Sequence, residues 1–384
     1  MHTSTPGRGG LLRRHFTRLI GVTALAVSVV AAVAPIAAAE SGAAAGAVFV
    51  MTNDAEGNQV LAYERASDGQ LSLQGAYDTG GLGTSRIRLS SQGPVVLSED
   101  RRHLLVANVG SSEISVFDVR RDGLRLRDVV PSGGSTPNSI SLRGDLVYVL
   151  NNGGEGLGNI TGFHLGEDGS LRHLPGSTRA LSAPGSDPAQ VSFTPDGNSL
   201  VVTEKATNQI LTWRVVGVLP VRRQIHDSAG VTPFGFDFTR DGTFIVTNAE
   251  EGEVGQASAS SYTLEGGFRR ISGPVPDFRS EVCWTVVSRD QRFAYVTNFG
   301  DGTISSYRIA GDGSITLLES IAATTTFGQL SIRDADQSTD GRYLYAIDIT
   351  SNNIHAWQIE SDGSLTPIGA FPGLPDTAAG IAVS

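Results

Sequence analysis

The chain is poor in the residues that hold a fold covalently or bind a polyanion. It has one cysteine, Cys283, which excludes an internal disulfide and a paired-cysteine haem attachment. Flanked by Val282 and Trp284, that thiol reads as an inert side chain in a buried strand. Lysine occurs once, at Lys205, and no basic run is present. No long hydrophobic run follows Val33, so nothing beyond the N-terminus reads as a membrane anchor. No stretch after residue 40 keeps a 3.6-residue apolar period, which argues against a helical architecture.

Acid is also missing, from residues 1–39. That segment carries Arg8, Arg13, Arg14 and Arg18, then an apolar run from Leu19 to Val33, then Pro35 and Ala37-Ala38-Ala39. The run is shorter than the ~20 apolar residues of a membrane span. Basic start, apolar middle and small-residue end predict a signal peptide cut near Ala39, with a second small-residue site near Ala45. The pair Arg13-Arg14 fits a twin-arginine signal as well as an ordinary secretory one. Export to the outside or the cell surface is the expectation. Without that segment, 25 basic residues face 39 acidic ones, a formal net charge of −14. Such a surface repels nucleic acid and anionic lipid.

What is abundant is a repeat. Tyr295-Val296-Thr297-Asn298 recurs in weaker form around Asn53, Asn108, Asn151, Glu204, Asn248 and Asp348. The spacings between these seven anchors are 55, 43, 53, 44, 50 and 50 residues. Runs of Val, Ile, Tyr and Phe alternate with Asp-Gly pairs such as Asp196-Gly197, Asp312-Gly313 and Asp340-Gly341, which are strand and hairpin signals. Four short strands per unit of this length is the pattern of a propeller blade. The first unit lacks an innermost strand, and Ala379–Ser384 resembles one. The sequence therefore predicts an all-β, seven-bladed β-propeller over residues 40–384, with four antiparallel strands per blade and blade one completed by the C-terminal strand.

Antiparallel strands put the short Asp-Gly turns on one face and the anchors and inter-blade loops on the other. The variable face is the natural place for a site. Its loops include residues 79–92 with Arg86 and Arg88, residues 175–188 with Arg179 and Asp187, and residues 249–260 with Glu250, Glu251 and Glu253. Arginines suit a carboxylate or phosphate. The glutamates lack the spacing of a calcium loop. One position per blade is placed near the channel mouth: Pro94, Ser139, Gln190, Gly235, Trp284, Asp334 and Gly380. Asp334 stands out, with Arg333 beside it and Asp336 on the same strand face. Among the anchors Glu204 is the exception, because Asn and Asp cap turns locally and a longer glutamate suits that role poorly.

These motifs resemble the lactonase family of seven-bladed propellers, which includes a 6-phosphogluconolactonase and a fungal carboxymuconate-lactonizing enzyme and overlaps surface proteins named for the Tyr-Val-Thr-Asn repeat. The resemblance covers nearly all of residues 40–384 and is specific for the fold. It implies a Gly-Pro-Arg-His run opening a middle blade, where this chain has Asp187-Pro188-Ala189-Gln190. It implies a Glu that ends the next strand, matched by Glu204, and a later Asn-Arg pair, replaced here by Asn298-Phe299. Glutamine cannot shuttle a proton as histidine does.

Two functions follow. One is a lactone hydrolase or lactonizing enzyme with Glu204 as general base or acid and Asn151, Gln190 or Lys205 polarising the carbonyl. The other is a non-catalytic binding propeller for a small metabolite, a glycan or a protein, using Trp284 and Asp334. Ser139, Arg333, Arg86 and Arg88 complete the candidate binding residues. The seven histidines form no metal-ligand pattern, so no metal or cofactor is expected. The expected partner is a small molecule, and the chain is expected to act as a monomer.

Overall fold

The computed structural model describes residues 45–86 and 89–384. The expected signal peptide and Arg88 lie outside the described residues. The described residues form seven sheets around a channel, six of four strands and one of five, with paired strands antiparallel. The first blade is Ala379–Val383, Gly46–Met51, Gln59–Arg65 and Leu71–Asp78, in that order from the channel outwards. Its innermost strand is thus the last of the chain, as the sequence predicts. The third blade departs from the simple pattern. Its outer position is shared by Leu171–His173 and Arg179–Pro184, which both pair with Leu157–Leu165.

The second strand of each blade is buried on both faces and reads as a near-continuous apolar run, as in Phe293–Asn298. Outer strands alternate, as in Leu71–Asp78, where only one face is covered. The core is divided into seven clusters that lie mainly between neighbouring blades. Leu105, Ile114 and Val116 of the second blade, for example, pack on Val147, Val149 and Phe163 of the third. Burial of such side chains contributes roughly 25 cal/mol per Å² of apolar surface.

The repeat motif is a set of stitches to adjacent elements. Its tyrosines donate to a turn carbonyl of the next blade: Tyr148 to Val218 O, Tyr295 to Gly363 O and Tyr345 to Gly69 O, at 2.7, 3.0 and 2.9 Å. Its threonines do the same at the channel, Thr203 to Phe234 O at 2.6 Å and Thr247 to Cys283 O at 2.7 Å. Its asparagines are fully buried and hold the start of the third strand; Asn298 donates to the hydroxyls of Thr303 and Ser305. The Asp-Gly turns close the opposite face. Asp312 accepts from the Ser314 hydroxyl at 2.6 Å and amide at 3.0 Å, bonds that hold its carboxyl below the usual range. Gly313 sits there at φ 81°, where a side chain would also meet Ile271 and Thr243 of the neighbouring blade.

Closure is secured by a buried arginine. Arg65, 1% exposed, donates through Nε and Nη2 to the main-chain oxygen of Ser384 at 3.2 and 3.1 Å. Nη2 also reaches Ala45 O at 3.2 Å and lies 3.5 Å from Asp340 of the last blade. Replacing Arg65 by Met leaves those acceptors buried and unmatched. Arg65→Met is expected to destabilise the protein by about 3 kcal/mol, read as a lowered urea midpoint at unchanged slope. A midpoint shift below about 1 kcal/mol would show that the arginine does not hold the seam.

Candidate functional site

The central channel is not open. Residues 89–93, between the first and second blades, cross it and bond to blades on its far side. The Gln92 amide donates to Ala189 O at 3.1 Å, and its side chain donates to Thr285 O at 2.8 Å and accepts from the Thr285 amide at 3.1 Å. Ser91 O accepts from Trp284 Nε1 at 2.8 Å, and Ser90 O accepts from Lys205 Nζ at 2.7 Å. This plug leaves a pocket of about 350 Å³ on the anchor face and a polar cavity of about 540 Å³ that runs down the channel to the turn face.

The pocket is assembled from the fourth to seventh blades by a register rule. Lys205, Ala249 and Phe299 line it, each the residue after an anchor. Phe234, Cys283 and Arg333 line it too, each the residue before a channel position. Trp284 joins them because the inner strands bulge there. Pairing in the sixth blade skips between Val282 and Trp284, and the fourth, fifth and seventh blades skip at the matching point. A bulge breaks the two-residue alternation, so neighbouring side chains reach the same space.

Lys205 is the central polar group. Its side chain is 7% exposed, pairs with Asp187 Oδ2 at 3.2 Å and lies over the Phe234 ring at 4.9 Å. Burial lowers its pKa from that of a free lysine, and the Asp187 carboxylate opposes this. Asp187 itself has φ 49°, a left-handed conformation that Asp adopts more readily than most residues, and it also accepts from Asn152 Nδ2 at 3.1 Å. Arg333 is 2% exposed and donates to Ala378 O at 2.7 Å. Cys283, read from the sequence as an inert core thiol, is buried as expected but forms part of the pocket wall.

The candidate residues therefore separate. Lys205, Arg333 and Trp284 come together in the pocket, with Asp187 and Glu251 from the singled-out loops. Glu204 does not line it. Its fully buried carboxylate accepts from the Ser182 amide at 2.9 Å, the Ser182 hydroxyl and the Thr207 hydroxyl at 2.8 Å. The extra methylene that set Glu204 apart spans the gap to the third blade, so the residue is a longer version of the other anchors. Asn151 is likewise an anchor, donating to Ser132 O at 3.1 Å. Ser139 Oγ accepts from the Val191 amide at 3.1 Å, and Gln190 Oε1 from the Phe236 amide at 2.7 Å. Gln190 and Asp334 face the channel cavity beyond the plug, and Arg86 is exposed. The sequence missed Phe234, Phe299 and the plug. The first two were reachable by applying the repeat register one residue to either side of the chosen positions.

Three aspartates, Asp237, Asp334 and Asp336, line the channel cavity. Burial pushes Asp237 and Asp336 up to about 6, each opposed by bonds from amides, Val287 N and Val383 N respectively. Asp334 is raised too, by burial and then by Asp336. No group of three or more metal-ligating side chains is found among the described residues.

The fold and pocket define a seven-bladed propeller with a plugged channel and a small site at one mouth lined by charged and aromatic side chains. A family model described as lactonase, 7-bladed β-propeller, matches residues 47–179 and 276–379. The chain belongs to that family. Among solved structures it resembles the periplasmic gluconolactonase of Pseudomonas aeruginosa, with a TM-score of 0.69 and 17% identity over 88% of this chain and 98% of that one. A protein from Bacteroides fragilis, described as a candidate 6-phosphogluconolactonase, gives 0.66 and 17% over 88% and 98%. At such identity these likenesses establish the fold alone. No match was found among curated protein sequences.

A carboxyl whose folded pKa lies above its unfolded value stabilises the fold at low pH, and this is lost as pH rises through the folded pKa. For Asp237 and Asp336 the window runs from about 4 to about 6. Each of the two is expected to cost the wild type on the order of 2 to 3 kcal/mol of stability across it, and Asp336→Asn to show a shallower fall. Denaturant titrations from pH 4 to pH 8 check this; an Asp336→Asn profile parallel to wild type would remove the channel carboxyl from the account.

Proposed function

We propose that the protein opens a small-molecule lactone by hydrolysis in the anchor-face pocket, and closes one in the reverse direction. The observation that carries this reading is the buried Lys205 paired with the solvent-reaching Asp187 carboxylate in the same pocket as Arg333. Lactone hydrolysis needs a base for water, positive charge for the developing oxyanion and a proton for the leaving oxygen. Asp187 accepts the proton of a water whose oxygen bonds to the carbonyl carbon. The Arg333 guanidinium offsets the charge on the carbonyl oxygen. As the ring C–O bond breaks, Lys205 gives its proton to the departing alkoxide, and its lowered pKa makes it a better acid for that step. The proton on Asp187 then restores Lys205 across their ion pair. Membership of the lactonase family supports the reaction class.

The test is acid release by residues 40–384 from a panel of neutral and carboxylated lactones. Asp187→Asn and Lys205→Met are each expected to lower kcat by about 100-fold or more. Glu204→Gln is expected instead to lower the melting temperature while turnover by the folded protein stays within a few-fold of wild type. Turnover abolished in Glu204→Gln at unchanged melting temperature would return the base to Glu204.

We also propose export. The basic, apolar and small-residue order of residues 1–39 supports it. Residues 1–39 are expected to carry a fused reporter out of the cytoplasm. Loss of transport on changing Arg13 and Arg14 to lysine would mark the twin-arginine route; a reporter retained in the cytoplasm with both arginines intact would end the proposal.

A further inference from the structure

Resting on the lactone reading of this same pocket, the geometry points to a substrate class: we infer that the pocket takes an uncharged lactone bearing one apolar or aromatic substituent, and discriminates against sugar and phosphorylated lactones. The wall is a concave aromatic surface. Trp284 meets Phe234 edge-on at 5.3 Å between ring centroids and Phe299 at 6.5 Å. The indole N–H is already committed to Ser91 O, so Trp284 offers the ligand only carbon. Ala206 and Ala249 add methyl groups to the same lining.

A sugar lactone carries hydroxyls around its ring, and each one buried without a partner costs roughly 1–3 kcal/mol. The polar side chains of the lining are largely engaged within the protein: Asn208 Oδ1 accepts from the Thr232 amide at 2.7 Å and Thr232 Oγ1 from the Glu251 amide at 3.2 Å. Lys205 already donates to Ser90 O and Asp187, and Arg333 already donates to Ala378 O. Charge argues in the same direction. Among the described lining residues, the acids Asp187, Glu251 and Glu281 outnumber the bases Lys205 and Arg333. A phosphate dianion entering a wall of that balance meets net repulsion. At about 350 Å³ the pocket lies near the small end of ligand sites, enough for one lactone ring and one short arm.

The experiment compares kcat/KM for phenyl-substituted δ-valerolactone, unsubstituted δ-valerolactone, glucono-δ-lactone and its 6-phosphate. The phenyl compound is expected to exceed glucono-δ-lactone by roughly tenfold or more, with the phosphate ester lowest. Preference for the polyhydroxylated or phosphorylated ring would overturn the inference. Phe299→Ser is expected to lower kcat/KM for the phenyl compound more than for δ-valerolactone; equal losses would remove the aromatic wall from substrate choice. Glu251→Lys, at an exposed position, is expected to raise the rate on the phosphate ester relative to the neutral lactones, and an unchanged ratio would count against the charge argument.

Binding separates this inference from the catalytic one. Trp284 lines the pocket, whereas Trp213 and Trp357 are buried between blades. A phenyl-substituted δ-lactam, which resists hydrolysis, is expected to perturb tryptophan fluorescence saturably in wild type and not in Trp284→Phe. If no lactone is opened but this lactam binds, the substrate class stands and the hydrolytic reading falls. Failure of the lactam to bind overturns the class whatever the activity.

Discussion

Seven sheets in a ring have to be joined where their innermost strands meet, because there the amides along one edge of each strand face the channel rather than a partner strand. Side chains of the preceding blade supply the missing acceptors. Ser139 takes the Val191 amide, Gln190 the Phe236 amide, Asp237 the Val287 amide and Asp336 the Val383 amide. A buried amide left unmatched costs more than a matched one gains, so these latches are constraints before they are contributions. They also explain why polar residues pointing towards a channel did not assemble into a catalytic group: most of them are already engaged in holding the ring.

The candidate site lies where that constraint relaxes. At the anchor face the inner strands bulge, the latches stop, and residues 89–93 enter to meet the far blades. Lys205 is fixed from two directions, by Ser90 O of the plug and by Asp187 of its own blade's leading loop. The result is an amine held in apolar surroundings over a phenyl ring, with a carboxylate at hand. Positioned in this way by the plug and by its own blade's leading loop, it has little freedom to reorganise.

The architecture could be read from the residues because each part of the repeat has a local physical cause. Tyr, Thr and Asn of the motif each bond to a neighbouring element, so their recurrence carries the blade count, and the unmatched ends carry the closure. The site could be read only in part. Lys205, Arg333 and Trp284 were reachable by register and by rarity. Glu204 stood out because a longer side chain looks like a departure from a capping role until its bonds to Ser182 are known. Phe234 and Phe299 were passed over because each lies one residue from the position that the register singled out. The plug was invisible for a related reason: its contacts to Ala189 and Thr285 join residues about a hundred and two hundred positions away.

The plug also makes ring size a chemical parameter. Ser91 meets Trp284, and Gln92 meets Thr285, only because the second and sixth blades face each other across a gap that five residues can bridge. An eighth blade would widen that gap and a sixth-blade deletion would remove the far shore. In either case the floor under the pocket would be gone and the two cavities would merge into a wet pore. In this protein the number of repeats is therefore not merely a matter of assembly: it fixes the depth of the vessel in which any reaction takes place.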